Sequence, residues 1–280
     1  MSRRSATRRA LPRRNSYKPV GPGRGLLRPK TAGEIEAMAA AGDLVVRVHE
    51  QLVPLIVSGV TTAELDAAAA RFIASQGATS SFFGHQGFPK TIITSVNEVI
   101  IHGIPGDRVL AVGDIISVDV GVILDGFHGD AAWTYPVGAI ADDARRLLSG
   151  TEQALAEAVA AARAGESLSA IGRAVERVAA AHGLGVMRDY GGHGIGRSMW
   201  EEPHVPNIAS SADSLELVAN LTLAVEPMLT LGAPAYVVEA DGWTIRTADR
   251  SFAAHFEHDI VVMPNGAPTV LTEGLANVLH

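Results

Sequence analysis

Cysteine is missing from this 280-residue chain, and aromatic residues make up only 5% of it. Without thiols, disulfide bonds and thiolate zinc sites are excluded, and a reducing cytoplasm is the expected location. Apolar runs long enough to span a bilayer are also missing, so no membrane association is expected. The hydrophobic fraction of 47% is nevertheless enough for one large domain or two small ones, which predicts a soluble, globular protein.

Acidic residues are missing from the first 30 positions, although the whole chain has 30 of them and a net charge of −7. The same segment has ten basic residues, and Pro12, Pro19, Pro22 and Pro29 disfavour regular structure there. No apolar core follows the arginines, as a secretory signal peptide would require. We therefore predict a basic, disordered N-terminal arm over residues 1–30. It either stays solvated or tethers the protein to an RNA-rich surface such as the ribosome.

Residues 31–280 are predicted to form one folded domain after the arm. The domain begins at Thr31, which is positioned to form a capping box with Glu34. Apolar residues at helical spacing predict two pairs of helices. Their approximate bounds are 31–57 and 62–76 for the first pair, and 142–164 and 167–182 for the second.

The second pair of helices repeats the first. Residues 59–77 match residues 165–183 without a gap, at an offset of 106. Two acids in apolar, strand-like runs, Asp119 and Glu226, are 107 residues apart. The agreement of the two offsets predicts an internal duplication. Two α+β halves related by a pseudo-twofold axis would place equivalent strand carboxylates around a shared site.

A β-hairpin is predicted around an Asp-Gly turn at 125–126, with strands over 115–123 and 128–135. Asp119 and Asp130 lie at nearly symmetric positions on either side of the turn. We expect them to be cross-strand neighbours, or neighbours one pair out of register. Like charges at that distance repel, which indicates that a cation or a proton compensates them.

Metal-ligand side chains recur in apolar, strand-like segments of the chain. The set is Asp119, Asp130, His193, Glu226 and Glu257. A buried carboxylate is unfavourable unless a positive charge compensates it, and the runs around Asp119 and Glu226 contain no Lys or Arg. Four carboxylates and one imidazole make an oxygen-rich set that suits two divalent ions with shared ligands. The sequence therefore predicts metal-activated hydrolysis.

Six short stretches around these residues resemble segments of the type I methionine aminopeptidases in order and in spacing. They are Asn97-Glu98-Val99-Ile100-Ile101-His102-Gly103-Ile104-Pro105, Asp119-Val120-Gly121, His128-Gly129-Asp130, Gly192-His193-Gly194-Ile195-Gly196-Arg197, Val225-Glu226-Pro227-Met228 and Phe256-Glu257-His258. The resemblance covers about residues 31–272. It implies the α+β pita-bread fold, in which two duplicated, pseudo-twofold halves form a central antiparallel sheet flanked by helices. Prolidases share that fold, but the His-Gly-Ile-Pro stretch favours methionine aminopeptidase.

The resemblance also implies how the ligand set is used. Asp119 would hold one divalent ion, and His193 with Glu226 would hold the other. Asp130 and Glu257 would bridge both ions. The sequence does not choose among Co, Mn, Fe and Zn, because oxygen-rich sites accept each of them. The small glycine neighbours of His193 are expected to let a ligand approach.

The implied reaction removes the initiator methionine from peptides and nascent polypeptides. A water or hydroxide shared by the two ions would be the nucleophile, because two cations lower its pKa. One ion would anchor the free amine of the substrate, and Glu226 would transfer the proton. His102 would contact the scissile amide and its tetrahedral intermediate. A monomer is the state that the resemblance implies.

The chain departs from the family pattern where substrate is expected to bind. Seven residues after His193 the family usually has a histidine that hydrogen-bonds the substrate backbone, and this chain has Trp200. An indole donates one hydrogen bond but cannot accept a hydrogen bond or a proton. In the region that matches the methionine side-chain pocket, His85 replaces an aromatic residue and Ile93 replaces a common cysteine. The apolar character is retained by Phe88, Met199 and Trp243.

Two alternative functions therefore remain open at this point. One is a pita-bread hydrolase of altered specificity that acts on Xaa-Pro or amide substrates. The other is a catalytically weak binding protein that associates with the ribosome through its basic arm. The complete ligand set argues against a binding protein, because such a protein has no need of two bridging carboxylates. A prolidase relative would typically carry an additional N-terminal domain.

Overall fold

The computed structural model describes residues 27–210 and 215–275, so most of the predicted basic arm lies outside the described residues. The helices are α1 (Ala32–Leu52), α2 (Thr62–Ser75), α3 (Asp142–Ala161) and α4 (Ser169–His182). The strands are β1 (Thr79–Ser80), β2 (Ile93–Val96), β3 (Val99–Ile101), β4 (Ile115–Leu124), β5 (Phe127–Pro136), β6 (Gly185–Val186), β7 (Gly191–Gly194), β8 (Glu201–Pro206), β9 (Thr222–Val225), β10 (Met228–Thr230), β11 (Tyr236–Val238), β12 (Ile245–Thr247), β13 (Ala253–His255), β14 (His258–Val261) and β15 (Thr269–Val270). None of the described helices is both long and apolar enough to cross a membrane.

The first helix begins where the capping box predicted and ends earlier than expected. The Thr31 hydroxyl accepts from the Glu34 backbone N–H, and the Glu34 carboxylate accepts from the Thr31 N–H. Helix α1 ends at Leu52 rather than near residue 57, and a 3-10 turn over Val53–Leu55 follows. Pro54 lies in the first turn of that segment, where its missing N–H interrupts α-helical hydrogen bonding.

Packing begins before the predicted domain boundary at Thr31. Leu27 packs against the main hydrophobic core, and Lys30 is only 7% exposed. The Lys30 ammonium lies 2.7 Å from a carboxylate oxygen of Glu201, and the Lys30 N–H donates to the Asn220 carbonyl at 2.8 Å. Leu27 and Lys30, both assigned to the arm, therefore contact the folded domain.

The strands form antiparallel pairs that collect into four sheets among the described residues. One sheet has the order β1-β4-β2, with β5 paired to β4. Another has the order β15-β14-β9-β7-β8, and two three-stranded sheets have the orders β13-β10-β6 and β11-β12-β3. Helix α1 packs on β4 and β5, while α3 packs on α4 and on β9, β10 and β13. The helices therefore flank the strands, as the predicted α+β pita-bread architecture requires.

The predicted internal duplication is visible in equivalent hydrogen bonds. Before α2, the Gly59 N–H donates to the Leu110 carbonyl at 2.8 Å. Before α4, the Gly165 N–H donates to the Leu217 carbonyl at 2.9 Å. Both glycines have positive φ, which suits a residue without a side chain. Each half thus ties the start of its second helix to the loop that precedes β4 or β9.

Candidate metal centre and substrate cavity

The β4–β5 hairpin carries two carboxylates whose register differs from the prediction. Its turn lies at Asp125 and Gly126, with φ of 51° and 79°. Asp130 pairs with Gly121, which is two residues from Asp119. The two acids therefore lie diagonally, neither directly opposite nor one pair apart. Because side chains alternate with a period of two, the diagonal arrangement still places both carboxylates on the same face of the sheet.

The second half of the chain brings three more ligand-type side chains to that face. His193 lies on β7, opposite Ala224 of β9. Glu226 follows the last residue of β9, and Glu257 lies between β13 and β14, so both occupy strand ends rather than strand interiors. The Nε2 atom of His193 lies 3.7 Å from Oε1 of Glu226. The sheet that contains β4 and β5 and the sheet that contains β7 and β9 thus both contribute side chains to this cluster.

The glycines beside His193 serve a different purpose from the one expected. A Cβ on Gly192 would lie 2.0 Å from the Ala224 carbonyl oxygen, and a Cβ on Gly194 would lie 2.3 Å from the Glu202 carbonyl oxygen. Both positions require glycine because β7 approaches its two neighbouring strands closely. The motif therefore seats His193 between β8 and β9, and the prediction of easier ligand access does not explain these glycines.

The carboxylates of the hairpin and Glu257 share an unfavourable environment. Burial raises the pKa of Asp119 to about 7. Burial, followed by the neighbouring carboxylates, raises the pKa of Asp130 and of Glu257 well above the usual range. One oxygen of each of these three acids is buried without a hydrogen-bond partner among the described residues. Cations would compensate these oxygens better than protons.

Glu226 behaves differently from the other acids of the cluster. Burial alone would raise its pKa, but the hydrogen bond with His255 and the nearby charges of His193 and His102 together lower it. Glu226 is therefore ionised under conditions in which its neighbours hold protons. An ionised carboxylate beside these other acids is suited to accept a proton.

The geometry of the cluster fits a metal. Ligand atoms of Asp130, His193 and Glu257 all lie within 4.8 Å of one another, and all three side chains are buried. Asp119 and Glu226 line the same cavity. The donor set of carboxylate oxygens with one imidazole nitrogen is that of divalent first-row metals. Asp130, His193 and Glu257 could therefore hold a divalent cation, with Asp119 and Glu226 bordering the same space.

Two buried polar residues beside the cluster were not predicted. The Nε2 atom of His255 lies 3.5 Å from Oε2 of Glu226 and 3.8 Å from Oε2 of Glu257. Asp259 accepts a hydrogen bond from the Asp130 N–H at 2.8 Å. Both residues are two positions from Glu257 in sequence. That period-two spacing of polar residues in an apolar strand region is the signal that would have found them.

His102 lies in the same cavity in a strained backbone conformation. Its φ is 59°, in the left-handed region that residues other than glycine rarely adopt. The imidazole makes edge contacts with Tyr190 and Trp243, whose ring centroids lie 6.1 and 6.4 Å away. Burial lowers the pKa of His102 to about 4, so the ring is neutral near pH 7. A neutral imidazole donates one hydrogen bond and accepts another.

The predicted substrate-contacting residues line this cavity together with the five ligand-type side chains. Phe88, Ile93 and Met199 are buried in an apolar cluster with Phe82. The remaining members, Trp200, Trp243, His85 and His102, also border the cavity. Every residue predicted for the site thus lines one cavity, with the ligand-type side chains at its inner end and the half-buried rings of His85, Trp200 and Trp243 at its outer end.

Comparison with known proteins gives concordant matches. Residues 36–264 match metallopeptidase family M24. The chain is 44% identical over 237 residues to methionine aminopeptidase 1 of Bacillus subtilis (strain 168), covering 85% of this chain and 96% of that protein.

Solved structures show the same relationship. The crystal structure of methionine aminopeptidase from Rickettsia prowazekii has a TM-score of 0.86 and 37% identity, covering 88% of this chain and all of that one. An Xaa-Pro dipeptidase from Bacillus anthracis has a TM-score of 0.70 but only 23% identity, and this chain covers 62% of it. The second likeness shows the shared fold alone.

Proposed function

The chain belongs to metallopeptidase family M24, and we infer that it is a metal-dependent methionine aminopeptidase. An enzyme of this kind hydrolyses the peptide bond that follows an N-terminal methionine. The observation that carries the inference is the convergence of four carboxylates and one imidazole in a single cavity with apolar walls. The Xaa-Pro alternative is not favoured, because it is supported by likeness of fold only. A purely binding role is not favoured either.

We propose that two divalent ions occupy the cluster. Asp119 would bind one ion, and His193 with Glu226 would bind the other. Asp130 and Glu257, whose ligand atoms lie close together although they come from different halves of the chain, would bridge them. When bound, divalent cations lower the pKa of water and polarise a carbonyl group. The ions are Co, Mn, Fe or Zn, all of which accept this ligand set.

The protein side chains would perform the remaining tasks. Glu226 would accept a proton from the attacking water and return it to the leaving amine, since it is the ionised acid of the cluster. His102 would hydrogen-bond the scissile amide through its neutral ring. The buried cluster of Phe88, Ile93 and Met199 would hold the methionine side chain and exclude water.

We also propose the substrates, the cellular location and a partner of the enzyme. The substrates would be N-terminal methionyl peptides and nascent polypeptides with small second residues, acted on by a cytoplasmic monomer. The basic arm would tether the enzyme to the ribosome, because nine positive charges in residues 1–29 favour an RNA surface.

The function is tested by loading the purified, chelator-treated protein separately with Mn²⁺, Co²⁺, Fe²⁺ or Zn²⁺. Release of methionine from Met-Ala-Ser should require at least one of these metals and should stop on addition of a chelator. Ala-Ala-Ser, which is matched in length and charge, should not be cleaved. Cleavage of an Xaa-Pro dipeptide without release of methionine from Met-Ala-Ser would instead support the prolidase alternative.

A further inference from the structure

Three aromatic rings connect the metal centre with the outer part of the cavity. The ring centroids of His193 and Trp200 are 6.2 Å apart, with an interplanar angle of 88°. Those of Trp200 and His85 are 4.5 Å apart, with an angle of 84°. Each pair is edge to face, a favourable arrangement for aromatic rings. Trp200 therefore stands between a ligand-type histidine and a second histidine, His85.

One ring nitrogen of His85 is buried and makes no hydrogen bond within the described part of the chain. Its Nε2 atom has no hydrogen-bond partner among the described residues, although the ring borders the cavity. Main-chain hydrogen bonds hold the backbone at this position, because the His85 N–H donates to the Phe82 carbonyl and the Phe88 N–H donates to the His85 carbonyl, each at 2.9 Å. A buried donor or acceptor left unpaired is unfavourable. In a ligand cavity, such an atom is available to the ligand.

A bound peptide would need such an atom. Its backbone carries N–H and C=O groups that lose water in the cavity and must be paired. Much of the surrounding wall is apolar, including Phe82, Phe88 and Met199. Trp200 has one donor and no acceptor, whereas the neutral imidazole of His85 has both. Burial lowers the pKa of His85, so the ring is neutral near pH 7.

We propose that His85 hydrogen-bonds the backbone of the bound peptide through Nε2 and that Trp200 positions the His85 ring. His85 would thus supply a polar contact that an indole at position 200 cannot fully provide. The proposal rests on the aminopeptidase function and assigns a specific task to a residue expected from sequence only to line the methionine pocket. A competing explanation is that His85 only packs, with its N–H directed at the face of the Trp200 ring.

Two substitutions of His85 separate these explanations. His85→Phe keeps an aromatic edge against Trp200 but removes both nitrogens, whereas His85→Gln keeps a donor and an acceptor. We expect kcat/KM for Met-Ala-Ser to fall about tenfold in His85→Phe, which corresponds to about 1.4 kcal/mol. His85→Gln should recover most of that loss. Equal activity of His85→Phe and the wild type would overturn the proposal, as would an equal loss in both variants.

A double-substitution cycle with Trp200→His gives the sharper test. A histidine at position 200 would supply its own polar contact, so its benefit should depend on whether His85 is present. We expect the gain from Trp200→His to be about fivefold larger in the His85→Phe background than in the wild type. Identical gains in the two backgrounds would show that the residues act independently and would contradict the proposal.

Controls and a binding measurement keep the outcome interpretable. Phe83→Ala changes an exposed side chain in the same loop and should leave kcat/KM unchanged. Thermal midpoints and metal content should agree among all variants. Binding of Met-Ala-Ser with only its first peptide bond reduced to CH₂–NH is measured by calorimetry, since this uncleavable probe keeps the Ala-Ser amide and reports the contact without turnover. His85→Phe should bind it more weakly, and unchanged affinity would count against the contact. Failure of the wild type to release methionine would refute the enzyme function instead.

Discussion

The inner and outer ends of the cavity are built from different chemistry, and the sequence predicts departures from the family pattern only at the outer end. At the inner end, Asp130 and Glu257 are buried acids whose charges require compensation by the same ions. At the outer end, Trp200 and His85 are aromatic rings in edge-to-face contact. A change among interdependent charges disturbs every member, whereas rings in edge-to-face contact can be exchanged with a local adjustment. The departures that the sequence predicts accordingly lie at the outer end.

The strongest test of this comparison removes a bridging carboxylate. Asp130→Asn and Glu257→Gln keep the size of the side chain but should lower kcat/KM for Met-Ala-Ser by more than about a thousandfold, since each takes a ligand from both ions. Calorimetric titration with Mn²⁺ should show a matching loss of binding. Asp125→Asn, an exposed change in the turn of the same hairpin, should have no effect. Wild-type activity in either bridging variant would disprove the assignment.

His255 tests whether the inner end depends on residues beyond the five ligands. Its Nε2 atom is directed at the carboxylates of Glu226 and Glu257, at 3.5 and 3.8 Å. Groups that orient metal ligands typically contribute about 10–100-fold to metal affinity. We expect His255→Leu to weaken Mn²⁺ binding within that range, whereas His255→Gln, which retains a donor, should retain most of the affinity. Unchanged Mn²⁺ affinity in His255→Leu would show that His255 only fills space.

The inner end should also respond to pH. Burial raises the pKa of Asp119 to about 7 in the metal-free protein, so metal binding near neutral pH must displace a proton. Affinity therefore increases as the pH rises through 7, and Asp119 alone accounts for about a tenfold increase between pH 6 and pH 8. Calorimetry in buffers with different ionisation enthalpies measures both the affinity and the number of protons released. Equal affinity at the two pH values would mean that Asp119 is already ionised.

The sequence pointed to the side chains that line the inner end because each of them stands out from its immediate neighbours in the chain. Carboxylates such as Asp119 in an apolar run without lysine or arginine are conspicuous on electrostatic grounds alone. The Asp-Gly signal placed the hairpin turn correctly, but the register depends on pairing along the whole of β4 and β5. The diagonal relation of Asp119 and Asp130 therefore required the structure.

Long-range contacts explain what the sequence did not reveal. Lys30 was assigned to the basic arm, yet its partner Glu201 lies 171 residues away. The spacing of His255 from Glu257 indicates a buried polar residue near the site, but only the fold brings His255 against Glu226. Likewise, the spacing of His85 and Trp200 gives no sign that their rings touch. Contacts between distant segments depend on the completed fold, which local patterns do not encode.

At the outer end, Trp200→His introduces the residue that the resemblance predicts at this position. A histidine supplies a hydrogen bond that tightens in the transition state, and its smaller ring widens the cleft. We expect kcat/KM for Met-Ala-Ser and Met-Gly peptides to rise about tenfold at saturating metal, or about 1.4 kcal/mol. Metal affinity should not change, because Trp200 is not in the ligand set. Unchanged or lower activity would indicate that Trp200 is adapted to another substrate.

The smallest effect is expected when the basic arm is shortened, and its extent depends on where the cut is made. Deleting residues 2–26 should leave kcat/KM for a tripeptide within about twofold of the wild type. If the arm is a tether, the same deletion should weaken binding to purified ribosomes, and added salt should weaken binding of the intact protein. Loss of tripeptide cleavage in the 2–26 deletion would show that the arm takes part in catalysis.

Extending the deletion to residues 2–30 should have a larger effect, because it removes Lys30. Glu201 would lose its partner while remaining largely buried, and breaking a buried ion pair costs about 3 kcal/mol. Glu201 also accepts from the N–H of Arg197 at 3.1 Å, in the loop that leads to Trp200. The 2–30 deletion should therefore melt at a lower temperature and cleave more slowly than the 2–26 deletion. Lys30→Met in the full chain should reproduce both changes, and its failure to do so would assign them to Leu27 or to the main-chain bond between Lys30 and Asn220.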